Sequence, residues 1–70
     1  MDQKEVFNSI RQERLRQDIK HSSNRVNDML PILIEEVGEV GTAIQYQDQD
    51  NLKEELIHTA AVCVRWLEML

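Results

Sequence analysis

The sequence predicts an all-α chain of three helices, the second and third folding back on each other as an antiparallel hairpin. Three observations lead there. Apolar residues recur at helical spacing through both later segments, as Leu30, Leu33, Ile34 and Val37 in one and Leu52, Leu56, Ala60 and Cys63 in the other. No stretch shows the apolar–polar alternation of a half-buried strand. The breaks, HSSNRVN and QYQDQDN, are polar, and the second is short enough to return the chain alongside itself. The 70 residues allow one domain, spanning 1–70. A domain of this size buries a modest core and usually leans on a metal, a disulfide or a second chain.

Each helix has a start signal. Asp2, with Glu5 three residues on, reads as a capping pair for a first helix carrying Val6, Phe7, Ile10, Leu15 and Ile19. That stripe is weak, so the helix is expected to lie across a partner rather than deep in a core. Asp28 reads as the N-cap of helix two, with Pro31 in the first turn, where its missing N–H is not needed. Asn51 with Glu54 reads as the cap pair of helix three, which runs to the last residue without a stop signal.

Composition narrows the function classes. The net charge is −5, unevenly spread: residues 11 to 25 balance at +3 and residues 28 to 56 at −7. An acidic centre beside a basic segment argues against duplex nucleic acid, which asks for one broad positive face. It suits a cation carrying a phosphorylated ligand, although two ordinary solvated faces would give the same balance. Cys63 is the only cysteine and lies in the apolar run AAVCV, which reads as a small buried hydrophobe in a reducing compartment. The polar start MDQKEVF lacks the apolar centre of a signal peptide, and no apolar run reaches the ~20 residues of a membrane span. A cytoplasmic protein without membrane attachment is therefore expected.

The sharpest signal is IEEVGEV, residues 34–40. At ~100° per residue, Leu30, Leu33, Ile34, Val37, Val40, Gly41 and Ile44 share one broad face, the expected core. Met29, Ile32, Glu36, Glu39 and Ala43 form a second stripe beside it, while Glu35 falls in the polar sector. Helix three repeats the arrangement. Its expected core is Leu52, Leu56, Ala60, Cys63, Leu67 and Leu70; its second stripe is Glu55, His58, Val62, Trp66 and Met69, with Glu54, Arg65 and Glu68 outside. Each helix thus presents one i, i+3 polar pair from a packable surface: Glu36 with Glu39, and Glu55 with His58. Converging carboxylates repel one another, and a divalent cation such as Mg²⁺ or Mn²⁺ removes the conflict. Exposure of all four on a bundle rim is the competing reading. Gly38 and Gly41 flank the pair, and their cost in a helix interior suggests close approach of another helix or a ligand.

EEVGE followed by EELIH resembles the EExxE…ExxD signature of MazG-like nucleotide pyrophosphohydrolases, and ERLRQDIK resembles an N-terminal segment of short phage and bacterial members. The closing AAVCVRWLEML is similar to their apolar third helix. The resemblance runs from about residue 6 to the end. It implies a Mg²⁺-dependent enzyme that splits a nucleoside triphosphate into monophosphate and pyrophosphate. Carried over by position, Glu36, Glu39 and Glu55 would hold the metal, and Glu35 would take a secondary role such as positioning water. Arg14, Arg16 and Lys20 are candidates for the phosphates, with solvated helix charge as the alternative. Trp66 could stack on a base, but packing in the core is the simpler role.

His58 departs from the signature, occupying its final Asp position. Imidazole is a poor ligand for hard Mg²⁺ and suits Mn²⁺ or softer metals better. Two rivals follow. A non-catalytic helical module, regulatory or assembling, could keep the fold without turnover. A di-iron carboxylate protein would use Glu55-x-x-His58, but would want one Glu from each other helix, whereas Glu36 and Glu39 come as a pair. Beyond residue 59 helix three is apolar over more of its circumference than two neighbours cover, which predicts a homodimer whose paired hairpins form a four-helix core. The family resemblance implies a dimer or tetramer.

Overall fold

A computed structural model describes all 70 residues. It contains α1 (Gln3–Lys20), a short 3₁₀ turn (Val26–Asp28), α2 (Met29–Gln45) and α3 (Gln49–Met69), with no strand. Helices α2 and α3 pack closely as a hairpin, and α1 lies against α3. No helix is long and apolar enough to cross a membrane.

Local chemistry accounts for the ends. The Asp2 side chain accepts from the Glu5 backbone N–H at 2.8 Å and caps α1 as expected. Asp28 does precede α2, but its carboxylate accepts from the Arg25 N–H at 2.7 Å and holds the 3₁₀ turn instead of capping the helix. For α3 the sequence reading is corrected. The cap is Asp48, accepting from the Asn51 N–H at 3.1 Å, so the helix starts three residues before the Asn51–Glu54 pair allowed. The connection is short because α2 ends in a Schellman motif: Asp48 N–H donates to the Ala43 carbonyl at 3.0 Å and Gln47 N–H to that of Ile44 at 3.1 Å. Gln47 takes the left-handed conformation the motif needs, with φ of 53°.

The packing faces are also corrected. Leu30, Ile34, Val37 and Ile44, expected in the core, are more than half exposed, as are Leu56, Leu67 and Leu70 of α3. The second stripes do the packing within the chain. Met29 and Ala43 of α2 and Ala61 and Val62 of α3 are the buried apolar residues, and Glu55 is buried as well. Arg65, expected outside, is 3 % exposed. Its Nη2 donates to the His21 carbonyl at 3.1 Å and to Asn24 Oδ1 at 3.3 Å, fastening the loop after α1 to α3. The stripes that carry the polar pairs therefore face inward, and the purely apolar faces are left partly exposed, with Leu33, Val40, Leu52, Ala60 and Cys63 half-buried. Cys63 is only partly buried, and Gly38 and Gly41 have open space where a Cβ would stand, so nothing within the chain approaches them closely.

A candidate metal centre between three helices

The inward stripes bring the polar pairs together. One ligand atom each from Glu36, Glu55 and His58 lie within 4.8 Å of one another. His58 Nδ1 is 3.5 Å from Glu55 Oε2 and 3.7 Å from Glu36 Oε2. Those two oxygens are buried and accept no hydrogen bond from any donor in the chain. Buried carboxylate oxygens are ordinarily satisfied. Here two orphaned oxygens and an imidazole nitrogen converge, which is the donor set a divalent cation takes. The residues fit a divalent cation, without selecting Mg²⁺ over Mn²⁺.

Electrostatics agree with that geometry. Burial pushes the Glu36 carboxyl above its ordinary value, and the charge of Glu39 pushes it further, against the opposing effects of Glu55 and His58. Glu39 is raised chiefly by its carboxyl–carboxyl contact with Glu55, then by burial and the Glu55 charge. Glu39 stands one turn along from Glu36 and lines the same cavity of about 490 Å³. Glu35 reaches the cavity from its exposed edge.

The basic residues divide. Arg16 and Lys20 line the cavity across from the glutamates. Arg14 is not brought there: it points along the outer side of α3, where its Nε donates to Glu68 Oε1 at 2.9 Å and Asp18 lies 3.3 Å from Nη1. Trp66 does not line the polar cavity; with Leu33, Cys63, Leu67 and Leu70 it lines an open apolar groove.

Two site residues escaped the sequence reading. Glu13 and Gln17 of α1 are the only buried residues of that helix. Glu13 accepts from Arg16 Nε and Nη2, each at 2.7 Å, and from Gln17 Nε2 at 2.9 Å. Gln17 Nε2 also reaches the His58 backbone carbonyl at 3.2 Å, tying α1 to α3 beside the candidate metal centre. Burial acts to raise the Glu13 carboxyl, but hydrogen bonds from Arg16 and Gln17 and the charge of His58 hold it below its ordinary value. A signal was present: Val6, Ile10, Glu13 and Gln17 recur at helical spacing, an apolar stripe that continues as a polar pair, as it does on α2 and α3.

Comparison with known families agrees with the residues. The model of the MazG nucleotide pyrophosphohydrolase domain matches residues 24–57. The match takes in Glu35, Glu36, Glu39 and Glu55 and stops one residue before His58, where the chain departs from the signature. It supports assignment to a MazG-like family. Neither a curated protein nor a solved structure matches the chain significantly.

Proposed function

We propose that this MazG-like chain is a metal-dependent nucleoside triphosphate pyrophosphohydrolase, releasing pyrophosphate and leaving the nucleoside monophosphate. The observation that carries the reading is the pair of orphaned oxygens on Glu36 and Glu55 beside His58 Nδ1. Glu36, Glu55 and His58, with Glu39 one turn away, would hold the cation, Mg²⁺ or Mn²⁺. Once bound, the ion supplies Lewis-acid charge neutralisation to the phosphates.

The chain's own groups do the rest. Arg16, itself paired with Glu13, and Lys20 line the opposite wall, where the triphosphate is proposed to bind. Glu39, a further ligand, lines the same cavity, so the proton of the attacking water falls to Glu35, which stands outside the ligand set. Glu35, at the open edge, orients that water. Water adds to phosphorus, pyrophosphate leaves, and the reaction balances as triphosphate plus water giving monophosphate plus pyrophosphate.

The working unit is proposed to be a homodimer, a second copy covering the exposed Leu30, Ile34, Val37, Leu56 and Leu67 to complete a four-helix core. The alternative reading, a metal-binding module without turnover, draws on the imidazole at position 58. Phosphorus resonances of a nucleoside triphosphate, recorded after incubation with protein and Mn²⁺ and removal of the paramagnetic ion by chelator, separate the two. Monophosphate and pyrophosphate appearing together support the enzyme; diphosphate and phosphate, or no change, reject it.

A further inference from the structure

We propose that Glu13, on α1, is a positioning residue for His58: its carboxylate takes the Nε2 hydrogen and so turns Nδ1 toward Glu36 and Glu55 as a ligand atom. This rests on the metal centre proposed above and adds to it a residue outside the glutamate signature.

The imidazole stands between two sets of carboxylates. On its Nδ1 side are the orphaned oxygens of Glu55 and Glu36, at 3.5 and 3.7 Å. On its Nε2 side Glu13 Oε1 lies at 3.7 Å and the exposed Glu54 at 4.0 Å. A metal-bound histidine must offer a lone pair at one nitrogen, so the other carries the hydrogen, and a carboxylate accepting that hydrogen fixes the ring. Glu13 is the acceptor in place. It is buried, whereas Glu54 is a free surface side chain.

Glu13 is itself unsuited to be a ligand. Arg16 already occupies both of its oxygens and Gln17 one of them, and it lies on the far side of the ring from the converging oxygens. Gln17 sets the spacing, since one amide group donates both to Glu13 and to the His58 backbone carbonyl. The 3.7 Å separation is longer than a hydrogen bond. Closing it takes a shift of about 0.8 Å at the ring edge.

The test is Mn²⁺ affinity by titration calorimetry on the full chain, with Glu13→Leu made both in the native sequence and in His58→Asp. Glu13→Leu is expected to weaken Mn²⁺ about tenfold in the native background, and to leave it unchanged or tighter in His58→Asp, where no Nε2 hydrogen exists. Nitrogen modulation in the spin echo of bound Mn²⁺ should be present in the native chain, weakened by Glu13→Leu and absent from His58→Asp. Equal weakening in both backgrounds would overturn the proposal, because Glu13 would then act by its charge alone. So would native affinity in the Glu13→Leu single variant. A native chain that binds no Mn²⁺ would overturn the metal centre itself. Circular dichroism checks folding, and Glu13→Gln, which keeps the volume and a weaker acceptor, should give the same pattern with a smaller loss.

Discussion

His58 would decide the character of the proposed metal centre. An imidazole in place of a carboxylate removes one negative charge from the donor set and substitutes a softer atom. His58→Asp is therefore expected to tighten Mg²⁺ by about tenfold, or about 1.4 kcal/mol, with little gain for Mn²⁺; calorimetry showing no gain for Mg²⁺ would refute it. The carboxyls also make a pH signature. Glu36, raised mainly by burial, and Glu39, raised mainly by Glu55, disfavour the folded state once charged. Metal-free stability should thus rise as pH falls from neutral through their raised values, the gain being complete near the ordinary 4.5. Below that, protonation of Glu13 and Glu68, both held low, removes stability again. Urea denaturation in chelator across that range measures the curve, and stability climbing with pH from 4.5 to 7 would contradict it. Glu36, Glu39, Glu55 and His58 were legible in the sequence because i, i+3 polar pairs interrupt stripes that are otherwise apolar. Glu13 and Gln17 were not picked out, because Phe7, Leu15 and Ile19 drew attention to faces of α1 that the chain leaves exposed. Arg65 was misplaced because a charged residue on a wheel reads as outward until a loop carbonyl is found to pair with it.

At the scale of the element, the hairpin turn is where sequence and structure differ most informatively. The Asn51–Glu54 pair has the spacing of a capping box, but Asp48 has the oxygen nearer the end of α2 and takes the role. Propensity alone could not decide between them, since the choice depends on how tightly α2 ends. It ends tightly because Gln47 accepts a left-handed backbone at φ 53°. A non-glycine residue there carries a penalty of about 1 kcal/mol. Gln47→Gly is expected to stabilise the chain by up to that amount, raising Tm by roughly 4–8 °C. A thermal melt with unchanged or lower Tm would mean that flexibility in the unfolded chain outweighs the relief.

For the whole molecule, the apolar pattern identified helices and a hairpin correctly but assigned the wrong faces to the intrachain contact. The reason is physical. A hairpin that keeps a polar cavity between its helices must turn its mixed stripes inward, which leaves Leu30, Ile34, Val37, Ile44, Leu56 and Leu67 in water. In a lone chain these large apolar side chains would stand together on one side of the hairpin in water, the kind of patch that marks an interaction surface. Light scattering at micromolar concentration should therefore give at least a dimer mass, and Val37→Asp, at the middle of that face, should shift it toward monomer. A monomeric native chain would remove the four-helix core from the account. The central claim is that converging glutamates and His58 form a catalytic divalent-cation site. Its most direct test is pyrophosphate release from a panel of ribo- and deoxynucleoside triphosphates, with Mg²⁺ and with Mn²⁺, comparing the native chain with Glu55→Gln. The account predicts metal-dependent release by the native chain and none by the variant; release that survives in a folded Glu55→Gln, or that needs no metal, would contradict it.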